Sequence, residues 1–196
     1  MTLIDRLVEN PYTFHYLRKI AEANYRATKR RMLDLLDPDA PTLDLGCGTG
    51  EFAPLFRAEG YVGIDISLPY LRFAKRRMPR YGFALAQGQE LPLADGSVGQ
   101  VLINGVLHHL GEELARRLVG EARRVLRSGG RLLLIEDIEP ERPPLTTRLI
   151  HAMDAGEHIR ARQDYPDLLE GDLEIEREEE YRSGLCVYGL WLARRR

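Results

Sequence analysis

Residues 42–52 read TLDLGCGTGEF, from Thr42 to Phe52. A short apolar run, Thr42 to Leu45, gives way to glycines at 46, 48 and 50 and then to an acid, Glu51. Glycines on alternate positions let a backbone pass close to a ligand, because a Cβ there would collide with it or demand a strained dihedral. The residues that follow, with Phe52, Leu55 and Phe56 before Gly60, predict a helix. A strand, a bare loop and a helix are the place where open α/β sheets bind their ligands.

Outward from this stretch the elements alternate in type, as they do when parallel strands are joined by returning helices. Upstream, Leu17, Ile20, Ala21, Met32, Leu35 and Leu36 predict a helix over 16–36, stopped by DPDAP. Downstream, YVGID predicts a second strand, with Ser67 as N-cap of a helix through LPYLRFAKRRM. A weak third strand, YGFALAQ, and a fourth, QVLIN, follow. Leu110, Leu114, Leu118, Ala122 and Val125 place a helix over 112–126. RLLLIED is apolar on both faces, as an inner parallel strand is. The tail then offers two strands of opposite character, DLEIEREEEYR and LCVYGLWLA. The first suits an edge and the second a strand buried on both faces, joined as a hairpin through Ser183 and Gly184. Trp191 and Tyr188 are read as core residues. The organisation expected is an N-terminal helical segment, 1–38, able to act as a lid, and a ligand-binding domain, 39–196, with a helical insert at 142–171 as a substrate cover.

The loop must choose among ligands. A dinucleotide fingerprint wants a small residue where this chain has Glu51, and a carboxylate in a first helical turn would repel a pyrophosphate. Asp65 ends the second strand about twenty residues after Asp44, where an acid accepts hydrogen bonds from both hydroxyls of a ribose. A ligand with a ribose, no phosphate and positive character near Asp44 satisfies all three conditions. S-adenosylmethionine is such a ligand.

Four ordered stretches, LDLGCGTGEF, GIDIS, LPLADGSVGQVLINGVLHHL and LRSGGRLLLIED, resemble the class I S-adenosylmethionine-dependent methyltransferases. Within them the chain is similar to the group around the ubiquinone/menaquinone methyltransferases and the type 11 domains, from about Thr42 to Pro140. The resemblance implies a doubly wound, mostly parallel, seven-stranded Rossmann-like sheet with its last strand antiparallel and helices on both faces. It implies that Gly46, Cys47, Gly48 and Gly50 wrap the methionine portion of the cofactor, with Asp44 near its ammonium. Asp65 would hold the ribose, Ile66 would lie against adenine, and Gln87 would stand where the family often has an acid for the adenine amino group. Asn104 joins this cofactor set at the end of strand four. The family favours an aspartate where this chain has Gly99, a change without a functional reading.

Methyl transfer is an in-line displacement in which alignment supplies most of what a protein contributes. A base helps only when the acceptor has a proton to lose, and His108 or His109 would serve, with His109 preferred because the second histidine of LHH is the one most shared in the group. Tyr12 and Tyr16, beside Phe14 and His15, together with His158 and Arg160, are candidates for the acceptor, an apolar or aromatic small molecule with an acidic group facing Arg160. The expected product is S-adenosylhomocysteine, and no metal is required. A non-catalytic S-adenosylmethionine-binding protein of regulation or assembly is the alternative, to be separated by turnover. A nicotinamide-dependent reductase is disfavoured, because the pair Tyr25 and Lys29 precedes the glycine loop.

Composition limits the partners. With 28 basic and 30 acidic residues the formal net charge is −2 and the pI about 6.2, so no global field recruits nucleic acid or an acidic membrane. Charges interrupt the N-terminal apolar residues, and no apolar run reaches the roughly 18 residues of a spanning helix. Cys47 and Cys186 lie in unlike contexts, which argues against a disulfide framework. The expectation is a cytoplasmic protein, monomer or homodimer, with a small-molecule acceptor.

Overall fold

The computed structural model describes residues 10–138 and 158–196. The predicted insert at 142–171 therefore lies largely outside the described residues. Seven strands form one sheet: β1 (Thr42–Leu45), β2 (Tyr61–Asp65), β3 (Gly82–Leu85), β4 (Val98–Asn104), β5 (Leu126–Asp137), β6 (Leu173–Ser183) and β7 (Cys186–Arg195). Their order is β3-β2-β1-β4-β5-β7-β6. The first five are mutually parallel, and β7 pairs antiparallel with both β5 and β6. The order reverses between β1 and β4, which puts the crevice of a doubly wound sheet at the carboxyl ends of these two strands.

The core divides along the sheet as the strand periodicity demands. Leu132 and Leu134 of β5 join the cluster on one face, Leu133 and Ile135 the cluster on the other. Among the described residues four α-helices flank it: α1 (Pro11–Ala21), α2 (Arg26–Leu35), α3 (Leu68–Arg77) and α4 (Glu112–Val125). Ser67 caps α3, its hydroxyl accepting from Tyr70 N at 3.5 Å. The buried stripe of α4 is Ala115, Leu118, Val119, Ala122 and Val125. Leu114, which the spacing assigned to this stripe, is exposed, because it falls at the margin of an arc centred on Ala115 and Ala122. As expected, β6 is the charged edge and β7 is buried, with Trp191 and Tyr188 in the core.

Three local expectations fail for identifiable reasons. The single helix over 16–36 is two helices, broken where Ala23, Asn24 and Tyr25 adopt positive φ. The β6–β7 turn captures the carbonyls needed to continue α1: Leu185 N donates to Ala21 O at 2.9 Å and Ser183 Oγ to Glu22 O at 3.2 Å. The helix over 52–60 is replaced by two 3₁₀ turns, Ala53–Leu55 and Ala58–Gly60, with Phe56 and Arg57 extended between them. An α-helix rises about 1.5 Å per residue, too little for so short a segment to return along a strand and still make its connections; the steeper 3₁₀ and extended residues suffice. The hairpin turn is Gly184 and Leu185, since Ser183 already pairs with Cys186. Gly99, for its part, sits at a register shift in β4.

Candidate functional site

At the crevice lies a cavity of about 620 Å³, within the range of small-molecule sites. Its floor is the loop after β1. Gly46 N and Cys47 N both donate to Ile64 O, at 2.8 and 3.0 Å, which anchors the loop on β2. Gly46 has φ +74°, and a Cβ there would stand 2.3 Å from Val106 Cγ2. Gly48 differs: its φ is +52°, yet a Cβ would meet no protein atom closer than Tyr70 Cδ2 at 3.9 Å. The bare face of Gly48 is therefore turned to the cavity.

Two strand carboxylates, Asp44 and Asp65, border that floor, beside Glu51 of the loop itself. Asp44 is buried, and Tyr61, at the start of β2, donates its hydroxyl to Asp44 Oδ2 at 2.6 Å. Burial, reinforced by Asp65 and opposed by the Tyr61 hydrogen bond, pushes the Asp44 carboxyl up to about 7. Asp65 accepts from Gly48 N at 2.8 Å and from Ser67 N at 2.7 Å, so it ties the glycine loop to the N-terminus of α3. Burial raises its pKa while these backbone donors pull it down. Beside it Ile66 is 74% exposed into the cavity, an apolar surface at the place expected for adenine. At the other end Asn104 Oδ1 is buried without a hydrogen-bond partner. Cys47 also lines the cavity; burial drives its thiol well above the ordinary value, which suits a small neutral side chain and not a nucleophile.

Other expected residues lie elsewhere. Gln87 is exposed and does not border the cavity, where Ala86, Gly88 and Gln89 stand instead. Alternation after β3 turns residue 87 outward while its neighbours face in. Tyr12, Tyr16, His158 and Arg160 do not line it either. Tyr12 packs edge-on against Phe73 at 4.8 Å. Arg160 donates to the carbonyls of Leu107 and Leu110, at 2.7 and 2.8 Å, so its fork serves the backbone and not an acidic acceptor. The N-terminal segment reaches the cavity through Arg18 and Tyr25, neither of them among the residues expected to meet the cofactor or acceptor. Glu51 is ion-paired with Lys19 and Lys29, and no α-helix begins at it. Its charge is therefore balanced by two lysines and does not stand at a helix terminus where it would repel a pyrophosphate.

Both histidines of LHH line the cavity, in unlike settings. His109 is exposed; His108 is buried, with Nδ1 2.8 Å from Glu136 Oε2. Glu136, fully buried on β5, also accepts from Val106 N and Leu107 N at 2.8 and 2.7 Å. The sequence does carry a signal for Glu136, since an acid ending the apolar run of an inner strand needs partners, but not which partners.

A family model described as a methyltransferase domain matches residues 43–134. The chain is 31% identical over 126 residues to demethylmenaquinone methyltransferase of Renibacterium salmoninarum, covering 62% of this chain and 52% of that protein. It is 33% identical over 123 residues to the ubiquinone/menaquinone biosynthesis C-methyltransferase of Acidiphilium cryptum, covering 57% and 49%. In fold it is similar to geranyl diphosphate C-methyltransferase from Streptomyces coelicolor A3(2), solved with S-adenosyl-L-homocysteine, with a TM-score of 0.73 at 18% identity over 89% of this chain and 80% of that one. Over residues 43–134 the chain is similar to a methyltransferase domain, and its fold is that of S-adenosylmethionine-dependent methyltransferases. It spans about half the length of these two curated methyltransferase relatives. The cavity is compatible with the donor of those methyltransferases: it has a bare glycine floor, an apolar platform at Ile66, and an unsatisfied acceptor at Asn104 for a cationic hydrogen-bond donor.

Proposed function

We propose that this chain is a methyltransferase that binds S-adenosylmethionine in the β1–β4 crevice and methylates a small-molecule acceptor, releasing S-adenosylhomocysteine. The observation that carries the reading is Asn104 Oδ1, a buried acceptor without a partner at the end of a cavity that also contains Asp44. A buried carbonyl at a cavity wall calls for a donor, and an ammonium with three donors supplies one. When bound, the donor supplies an electrophilic methyl group on a sulfonium. Asp44 and Asn104 would hold its amino-acid end, Asp65 its ribose and Ile66 its adenine, with Gly46, Cys47, Gly48 and Gly50 along the methionine. The acceptor would approach past Val106, His108 and His109, with Arg18 and Tyr25 on the N-terminal side.

Relatives named for a demethylmenaquinone and for geranyl diphosphate support an acceptor with an apolar or aromatic body. A cytoplasmic location is part of this proposal; Cys47 and Cys186 are free and buried, and no described helix is long and apolar enough to cross a membrane. Calorimetry with S-adenosylmethionine and with NAD tests the binding. Asp65→Ala is expected to weaken the former by about 1 to 3 kcal/mol through lost hydrogen bonds. Turnover to S-adenosylhomocysteine with a panel of phenols, quinols and amines tests the chemistry. Binding without turnover across the panel would favour the regulatory alternative, and binding of NAD alone would overturn both.

A further inference from the structure

The geometry points to His108 as the base of this site and to Glu136 as the residue that holds it in the tautomer the reaction needs; the inference rests on the methyl-transfer reading above. Glu136 lies where β5 passes under the turn after β4, and its carboxylate gathers three donors from that turn: Val106 N, Leu107 N and His108 Nδ1. A carboxylate has no proton to give, so Nδ1 must carry the hydrogen and the ring's lone pair resides on Nε2. The opposite side of the turn is fastened as well. Arg160 holds the carbonyls of Leu107 and Leu110, and His158 N donates to His108 O at 2.9 Å. A glutamine would serve the two backbone donors as well as a glutamate does. Only the third bond, to a titratable ring lining the cavity, requires the charge.

For an acceptor with an O–H or N–H the step balances as follows. The acceptor atom forms its bond to the methyl carbon while its proton passes to His108 Nε2, and the electron pair of the carbon–sulfur bond stays on sulfur. The products are the methylated acceptor, a neutral thioether and an imidazolium paired with Glu136, which then yields its proton to water. Glu136 is a positioning residue; it stabilises the cation and keeps Nε2 able to accept.

The test is Glu136→Gln. Its amide oxygen can still accept from Val106 N and Leu107 N, but its NH₂ must donate to Nδ1 and so drives the ring hydrogen to Nε2. Histidine ¹⁵N NMR of the protein with S-adenosylhomocysteine is expected to show His108 protonated at Nδ1 in the wild type and at Nε2 in the variant. With a soluble naphthoquinol as acceptor, kcat should fall by about 10² to 10⁴ while KM and donor affinity hold. The dependence of kcat on acidic pH should vanish in both Glu136→Gln and His108→Gln, and the double variant should lose no more than either. A wild-type ring protonated at Nε2, or kcat and its pH profile unchanged in Glu136→Gln, overturns the inference. Failure of wild-type protein to bind S-adenosylmethionine would overturn the methyl-transfer reading instead, and the tautomer measurement does not depend on turnover.

Discussion

Asp44 shows how burial turns an ordinary acid into a pH-dependent contact. Its carboxyl rises from 3.8 to about 7 because the folded chain desolvates it. A raised acid pKa contributes stability that is complete below the unfolded value and is lost as pH climbs through about 7. A ligand cation in the cavity favours the ionised form, so binding should release a proton below that pH. Donor affinity is therefore expected to strengthen from pH 5 to about 7 and then level off, with the dependence flattened in Asp44→Asn; calorimetry in two buffers of different ionisation enthalpy measures it. The glycines differ in kind. Gly48→Ala has room in the protein and costs about 1 to 2 kcal/mol for its left-handed backbone, yet should weaken the donor because its methyl points into the cavity. Gly46→Ala adds a collision with Val106 and should lower the melting temperature much further. Thermal denaturation beside calorimetry separates the two.

Helix α1 is joined to the glycine loop by a polar contact with its own pH dependence. His15 Nδ1 is 3.0 Å from Thr49 Oγ1, and its Nε2 lies 3.7 Å from Glu51. Burial, with the Arg77 charge, lowers its pKa from 6.5 to about 4 despite Glu51. A lowered histidine contributes stability present above 6.5 and lost as pH falls toward about 4, since the undocked ring takes up a proton first. Protection factors for hydrogen exchange in α1, taken relative to the intrinsic rate at each pH, should therefore fall between pH 6.5 and 4, and His15→Gln should remove most of that change; protection that ignores pH in the wild type would refute the contact's role. The same scale explains the misjudged helices. Periodicity over 16–36 was real, but a turn from the far end of the chain takes the carbonyls of Ala21 and Glu22, and no local pattern announces that.

Across the whole molecule, the antiparallel β7 lies between β5 and the charged edge β6, and it carries the core on that side. Trp191 is fully buried and stacks near Tyr165 with ring centroids 4.7 Å apart. Trp191→Ala should destabilise the fold by about 3 to 5 kcal/mol, read from the urea midpoint with the slope unchanged. The cavity, distant from it, should keep its donor affinity under native conditions.

The sequence alone determined the alternation of elements, the buried and edge strands of the tail, and the glycine loop at the cavity floor, because these follow from period, glycine placement and charge within a few residues of each other. It marked Asp44, Asp65, Ile66 and Asn104 correctly as neighbours of one crevice, since each ends or follows a parallel strand. Tertiary structure alone decided that Gln87 faces outward, that Arg160 clamps a backbone turn, and that Glu136 meets His108. Those outcomes depend on contacts between segments 28 to 53 residues apart, or on which side of a short strand the chain emerges. Distance along the chain holds no record of such meetings; only packing, which trades burial against hydrogen bonding over the whole sheet, selects them.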